Sequence, residues 1–314
     1  MRTFLLKRLP SALLVLLLAS FAVFLILRLI PGDPATSLAG PDATPETVEA
    51  IRSQLGLDQP LFSQYVSWLG RLLSGDIGPS YAIGGQVADL IGDGFGATAQ
   101  LTLGALLLVV LIALPLAVLG ATTRSRPVAA VVQAVTTGVL AIPPFVTGVV
   151  LVLVFAVSLG LLPAGGHESL LTEPDLAVQY LAMPAVCLAL PSAAVVARYL
   201  KDGIERALAE DYVRTATALG VSRRRTVWRH ALPNALPSAI TVLGLQVGHL
   251  IAGAVLVERI FAWPGLGQLI EQGVIRRDYP VVQDLLLLVV AVYVAVQLLT
   301  DLAYTWLDPR IRWE

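Results

Sequence analysis

Residues 98–120 read TAQLTLGALLLVVLIALPLAVLG, an apolar stretch without a single charged side chain. At a rise of about 1.5 Å per residue, a helix of this length crosses the roughly 30 Å hydrocarbon core of a bilayer. The rest of the chain has the same character, since 56% of its 314 residues are hydrophobic and only 14% are charged. Soluble domains carry about 25% charged residues. The composition therefore predicts an all-α, polytopic membrane protein.

Six stretches are long and apolar enough to be membrane spans. They are Leu9–Leu27, Thr98–Gly120, Val128–Leu159, Gln179–Ala197, Leu236–Val257 and Val281–Leu302. The third is too long for one straight span, and Pro143 and Pro144 within it predict a kink or a break. We interpret the first as an uncleaved signal anchor. A cleavable signal peptide would have an apolar run of about 7–15 residues that ends in a small-residue cleavage site.

The basic residues predict the orientation of these spans. Of the 21 lysines and arginines, 15 lie in the N-terminal segment, the 121–127 and 198–235 loops and the tail. The positive-inside rule places these segments, and so both termini, in the cytoplasm. The predicted organisation is a cytoplasmic N-terminus and first span (1–30), an external loop with short helices (31–97), a five-span core (98–307) with a cytoplasmic loop (201–235), and a cytoplasmic tail (308–314).

The long external loop is expected to be partly helical. Thr44 is a suitable N-cap for a helix with Pro45 at its first position. A second helix is expected after Pro60, with Tyr65 and Trp68 on one apolar stripe. This stripe either lies in the membrane interface or packs on the spans, and the sequence leaves both open.

Several kinds of chemistry are excluded by the sequence. The only lysines, Lys7 and Lys201, each follow a leucine, so the Gly-Lys pair of a phosphate-binding loop is missing. The motifs of zinc proteases and serine hydrolases are also missing. Cys187 is the only cysteine, and three scattered histidines do not favour a metal site. We predict no catalytic residue, no metal site and no enzymatic activity, and the sparse intramembrane charge argues against a proton-coupled carrier.

The 201–235 loop is the densest polar segment. A helix is expected from Asp202, with Gly220 ending it in a left-handed conformation. Ser222 would then cap a short arginine-rich helix that reaches Pro233. The expected apolar stripe of the first helix consists of Ile204, Leu208, Tyr212, Thr215 or Ala216, and Leu219. The arginines taken singly are equally explained by membrane topology, but the ordered stripe, glycine and proline favour a docking element for a cytoplasmic partner.

The loop resembles the "EAA loop" of ABC importer permeases. Ala216, Gly220, Leu232 and Pro233 match its pattern, and Asp211–Ala216 is similar to the dipeptide/oligopeptide/nickel branch, although Arg214 and Thr215 depart from the general consensus. Further segments resemble this branch in the same order along the chain. They are Pro31–Pro34, Leu55–Pro60, Ile142–Phe145, Phe261–Gly267, Arg277–Pro280 and Leu307–Arg312.

The resemblance implies a type I ABC importer permease fold and the B-type permease subunit of a peptide importer. It further implies a heterodimer with a second homologous permease, two cytoplasmic ATPase domains that bind ATP and Mg, and an external substrate-binding protein. The location would be the cytoplasmic (inner) membrane of a bacterium or archaeon, in contact with lipid and without nucleic acid. The implied ATPase-coupling residues are Asp211, Tyr212, Ala216, Gly220, Arg224, Leu232 and Pro233.

The implied function is ATP-driven, binding-protein-dependent import of di- or oligopeptides by alternating access. Nickel chelates or other small solutes are an alternative cargo, and a non-transporting membrane scaffold is an alternative of a different class. Gln246, His249 and Asp284 are candidates for the translocation path. The competing interpretation is helix packing around Gly244 and Gly248 for the first two and an interfacial position for Asp284.

Overall fold

The computed structural model describes residues 2–29, 32–40 and 42–307, with side chains 2–7 and 304–307 excluded. The predicted tail over 308–314 therefore lies outside the described residues. Within them the fold is all-α, and the one β-type contact is an isolated bridge between Pro79 and Gln86. The helices are α1 (Arg2–Leu29), α2 (Pro34–Ala39), α3 (Pro45–Gln54), α4 (Leu61–Leu73), α5 (Val87–Thr122), α6 (Arg126–Ala141), α7 (Pro144–Leu151), α8 (Pro174–Ala209), α9 (Asp211–Ala218), α10 (Arg223–Thr226), α11 (Leu232–Ile260), α12 (Leu266–Arg276) and α13 (Tyr279–Leu307). Two π-helical segments, Val152–Ser158 and Val227–Ala231, follow α7 and α10.

Five helical stretches of the described chain are long and apolar enough to cross a membrane. They are Arg8–Leu29, Val87–Thr122, Pro174–Ala209, Arg223–Ile260 and Tyr279–Ala303. A sixth crossing results if α6 and the stretch Pro144–Ser158, which is α7 with its π-helical segment, count as one span. The chain bends by 102° between these two parts. The predicted break at Pro143 and Pro144 is thereby confirmed. Proline lacks a backbone donor and clashes with the preceding turn, so α6 ends just before this pair.

Several helices extend beyond the apolar windows that predicted them. Helix α5 begins at Val87, well before Thr98, because its first turns pack in a core of their own. Val87 is fully buried and clusters with Leu266 and Val281. A search for uninterrupted apolar runs finds only the part of a helix that is apolar on all sides. Where the helix has one polar and one apolar face, the run ends although the helix continues.

The described residues form two compact units. The first comprises the described part of Met1–Thr98 together with Pro264–Val294. In it, Thr44 accepts a hydrogen bond from the Thr47 amide at the start of α3, which confirms the predicted N-cap. Tyr65 and Trp68 of α4 pack on Phe24 of α1, with the Phe24 and Tyr65 ring centroids 5.3 Å apart. The apolar stripe thus packs on a span, which resolves the alternative that the sequence left open.

The second unit comprises Ala99–Trp263 and the described part of Ala295–Glu314. Its core lies where α8 meets α11, and small side chains bring the two helices together. A Cβ placed on Gly203 of α8 would lie 3.1 Å from the Cβ of Ala235 on α11. Ile204 and Ala231 are fully buried beside this contact. Most peptide groups inside α8 and α11 bond within their own helix, which avoids most of the cost of burying a polar backbone.

A tight loop before α8 completes the second unit. The Gly166 amide donates to the Phe261 carbonyl over 2.9 Å, and the His167 ring lies edge-on to Trp263 with centroids 4.7 Å apart. Gly165 permits this approach, because a Cβ there would lie 2.5 Å from the Phe261 carbonyl oxygen. Burial lowers the pKa of His167, with the Glu168 charge opposing it, so the ring is neutral at pH 7.

Candidate functional site

The predicted docking loop is a helical hairpin, but its first helix differs from the expectation. One helix was expected from Asp202 to Leu219, whereas α8 ends at Ala209 and α9 begins at Asp211. The backbone of Glu210 is extended between them, with ψ of 152°. This break turns the later part of the predicted stripe away from the core, so Leu219 is 80% exposed and Tyr212 is 41% exposed. The buried side chain of α9 is Val213.

Gly220 ends α9 as predicted. Its φ is +81°, a left-handed conformation that glycine adopts without the steric cost of a Cβ. The Val221 amide donates to the Ala216 carbonyl over 3.1 Å, and the Gly220 amide donates to Thr217 over 3.0 Å. These bonds satisfy carbonyls that the helix end leaves unpaired. Ala216 and Gly220 therefore act through the backbone to make the turn of the hairpin.

The second half of the hairpin does not end at Pro233 as expected. Ser222 makes no side-chain capping bond, and α10 passes through the π-helical segment directly into α11. Pro233 is in the first turn of α11, directly after the π-helical segment. The Leu232 amide donates to Val227, five residues back. This wider turn carries the helix past the proline.

The four arginines of the second half of the hairpin divide into two groups. Arg223 donates to the Thr122 carbonyl at the end of α5 over 2.9 Å and so anchors the loop. The other three are exposed and line a shallow depression with Ser222 and Trp228. None of these three makes an ion pair within the described chain. They are Arg224, Arg225 and Arg229. We call this surface the arginine face.

The remaining coupling candidates lie around this face or support it. Asp211 and Arg214 form an exposed ion pair at 3.1 Å on α9. The Tyr212 hydroxyl accepts a hydrogen bond from Asn234 over 3.2 Å, which joins α9 to α11. Leu232 is buried in the core between α8 and α11. The hairpin is therefore held by contacts with α5 and α11 and exposes a cation-rich surface.

Two of the three path candidates meet in one cavity of the second unit. Gln246 and His249 of α11 line a space of about 330 Å³ together with Pro144, Cys187 and Ser192. The His249 Nδ1 lies 3.1 Å from the Leu245 carbonyl of its own helix. The walls are mainly apolar, so these two side chains provide polar contacts within it.

Helix packing around α11 involves a different residue. A Cβ on Gly244 would overlap with Thr300 of α13, so the small residue serves the close contact between these helices. Gly244 therefore serves helix packing, whereas Gln246 and His249 line the cavity.

Asp284, the third candidate, lies in the first unit. It is 4% exposed, and its Oδ1 accepts a hydrogen bond from the Trp68 indole over 2.8 Å. Its Oδ2 is buried and has no hydrogen-bond partner among the described residues. The cavity that contains Gln246 and His249 does not include it.

One carboxylate had no specific role in the sequence analysis. Asp278, fully buried between α12 and α13, accepts hydrogen bonds from the Ser80 hydroxyl and from the amides of Tyr81, Ala82 and Ile83. The amide distances are 3.1, 2.8 and 3.0 Å. Arg277 before it is left-handed, with φ of 58°. The sequence separation of almost 200 residues left no local pattern that could reveal this contact.

Comparisons with known proteins agree with the resemblance to importer permeases. Residues 84–313 match the family described as binding-protein-dependent transport system inner membrane component, and residues 1–102 match the N-terminal component of such systems. The chain belongs to this family. It is an ABC importer permease of the peptide/glutathione branch, not an enzyme.

Individual relatives cover the whole length of the chain. The glutathione transport system permease protein GsiC of Escherichia coli K12 is 36% identical over all of both chains. The probable D,D-dipeptide transport system permease protein DdpB of the same strain is 40% identical over 95% of this chain and 94% of its own. Among solved structures, the inward-facing MetNI methionine ABC transporter has a TM-score of 0.58 at 21% identity, covering 70% of this chain and 96% of its own. This last likeness supports the type I permease fold.

Proposed function

We propose that this permease subunit imports short peptides or peptide-like solutes and that partner ATPases supply the energy. The observation that carries the proposal is the supported arginine face, where three exposed cations without an ion pair to the described residues lie beside Trp228 on a helical hairpin. The full-length similarity to GsiC and DdpB supports a peptide-like cargo. The partners are two ATPase domains that bind ATP and Mg, a second permease and an external substrate-binding protein.

The proposed cycle is alternating access. ATP binding closes the ATPase pair, which pulls on the hairpin and opens the permease cavity outward. The hairpin transmits this force because Arg223 ties it to α5 and Leu232 anchors it in the α8–α11 core. Gln246 and His249 are the proposed path residues, since they provide polar contacts in a mainly apolar cavity.

The proposed orientation places both termini and the arginine face in the cytoplasm. Lysine and arginine are concentrated in the N-terminal segment, in the 121–127 and 198–235 loops and in the tail, which supports this placement. Single cysteines at Glu46 and Arg224, in a Cys187→Ser background, test it with a membrane-impermeant maleimide. We expect labelling of position 46 from outside intact cells and of position 224 only after permeabilisation. The reverse pattern would refute the orientation.

The coupling role is tested by Arg224→Gln in the complete complex reconstituted in liposomes. Peptide uptake and ATP hydrolysis are measured together with the amount of ATPase retained on the permease. We expect reduced ATPase retention and reduced uptake, because an exposed cation that pairs with the ATPase is lost. Arg126→Gln is the matched control, since Arg126 is an exposed arginine at the start of α6 that does not line the arginine face. Equal behaviour of the two variants would contradict the proposed docking surface.

The path role is tested by His249→Ala. We expect altered uptake with an unchanged amount of assembled complex. The ring lines the cavity, and its one hydrogen bond to the described residues lies within its own helix turn. A parallel loss of uptake and assembled complex would instead assign His249 to packing.

A further inference from the structure

The first unit contains a polar cavity that the coupling and path proposals do not use. Its volume is about 380 Å³, and its walls come from α1, α3, α4, α13 and the segments on either side of α4. The lining includes two arginines, four glutamines and three serines, and it includes no aspartate or glutamate. The side chains that matter most for its chemistry are Arg28, Gln64, Trp68, Arg71, Tyr81 and Gln283.

Arg28 is held in the cavity wall by neutral groups. It donates to the Gln283 side chain over 3.0 Å and to the Gln64 side chain over 3.3 Å. Its guanidinium carbon lies 3.9 Å from the centre of the Phe24 ring, and its Nε is buried without a hydrogen-bond partner. Within the described chain no carboxylate forms an ion pair with it. The positive charge is therefore oriented but not neutralised.

A second cation lines the same cavity. The Arg71 guanidinium makes neither a hydrogen bond nor an ion pair to the described residues, although the neighbouring buried acid Asp284 acts on it electrostatically. Asp284 itself accepts from Trp68 and does not line the cavity. Burial raises the pKa of Tyr81, which the two arginines partly oppose, so its hydroxyl is a hydrogen-bond donor at neutral pH.

The lining selects the charge and the size of the ligand. Two cations without a lining acid favour an anion, and the planar guanidinium groups match a carboxylate. The glutamines and serines offer donors and acceptors for peptide groups, and Trp68 and Tyr279 provide flat apolar walls. A volume of about 380 Å³ accommodates a few residues of peptide, at the lower end of the usual range for ligand pockets.

We propose that this cavity binds the carboxylate end of a small peptide-like solute. The carboxylate follows from the lining residues alone, whereas the peptide-like remainder rests on the proposed function. A monoanionic ligand with a blocked amino end suits the cavity best, because the lining offers no acid to pair with an ammonium group.

The test is direct binding to the full chain in phosphatidylcholine nanodiscs, measured by titration calorimetry. The probes are N-acetyl-dialanine, which ends in a carboxylate, and its C-terminal amide, which is neutral. We expect the acid to bind about tenfold or more tightly than the amide, as for one charge-assisted hydrogen bond gained. Arg71→Gln should weaken this preference about tenfold, since one of the two lining cations is lost. Because the side chain is exposed and has no bonds to the described residues, the variant should remain folded.

Arg276→Gln is the control, since this exposed arginine of the same unit does not line the cavity. Equal binding of acid and amide, or equal effects of the two arginine variants, would overturn the proposal. So would an absence of probe binding. If in that case Arg71→Gln weakened association with the external binding protein, the cavity would instead receive a protein carboxylate.

The measurement uses neither ATPase nor transport, so its result is independent of the proposed function. A chain that imports peptides but shows no acid preference would overturn only the carboxylate site. A chain that shows the preference but imports no peptide would overturn only the proposed function.

Discussion

Asp278→Ala tests whether one buried carboxylate holds the 80–83 segment in place. In the native chain this carboxylate accepts hydrogen bonds from three consecutive amides and from the Ser80 hydroxyl. A hydrogen bond to a charged group contributes about 1.5–3 kcal/mol. The donors lie in partly exposed residues, so water replaces some of these bonds in the variant. Counting two bonds as fully lost gives about 3 kcal/mol, which is about a hundredfold increase in the open population of the segment.

The assay is amide hydrogen exchange by mass spectrometry on the full chain in nanodiscs. Exchange through local opening is proportional to the open population, so peptides that cover 80–84 should exchange about a hundredfold faster in Asp278→Ala. Asp76→Ala is the matched control, because that exposed carboxylate accepts only the Gly78 amide over 3.1 Å. A similar acceleration in both variants would refute the assignment of a special anchoring role to Asp278.

The other predictions concern the second unit. Gly165→Ala places a Cβ 2.5 Å from the Phe261 carbonyl oxygen, so it should lower the free energy of unfolding by about 1–3 kcal/mol. Gly138→Ala on α6 is the control, because a Cβ there meets nothing within 4 Å and should not lower it. Thermal unfolding followed by circular dichroism compares the two variants. Burial lowers the pKa of His167 from 6.5, so the fold favours the neutral ring and stability should fall as the pH drops below that value. His167→Phe should flatten this pH dependence in the same melts, and an unchanged slope would contradict it. Gly220→Val forces a branched side chain into φ of +81° at about 1–2 kcal/mol, and we expect lower ATP-driven uptake at normal membrane insertion; full uptake would show that the turn tolerates the change.

Local backbone chemistry explains what could be predicted at the level of single elements. The break at Pro143 follows from the missing amide hydrogen of proline, and the start of α3 follows from the Thr44 side chain that accepts an N-terminal amide. The left-handed turn at Gly220 follows from the absence of a Cβ. Each depends on neighbours within a few residues, so the sequence contained the whole cause.

The errors in the docking loop have a different origin. Spacing alone predicted a continuous helix through Glu210. This position is neither a glycine nor a proline, so no residue there signals the break. The break places Val213 rather than Tyr212 in the core. The continuation past Pro233 depends on a π-helical turn, and no single residue type marks such a turn. Period and propensity describe a preferred local conformation, and tertiary packing selects another when the gain in burial is larger.

The sequence by itself determined the membrane-spanning class, the approximate spans and the family. The length of an apolar run and the order of the motifs are both visible in the linear sequence, without knowledge of which segments are neighbours in space. Only the tertiary structure decided which polar groups meet. Arg28 and Gln283 are 255 residues apart, and Asp278 and Ser80 are 198 apart. The physical reason is that a buried charge is tolerated only with donors or acceptors close in space, and spatial closeness between distant segments is created by packing, not by local sequence.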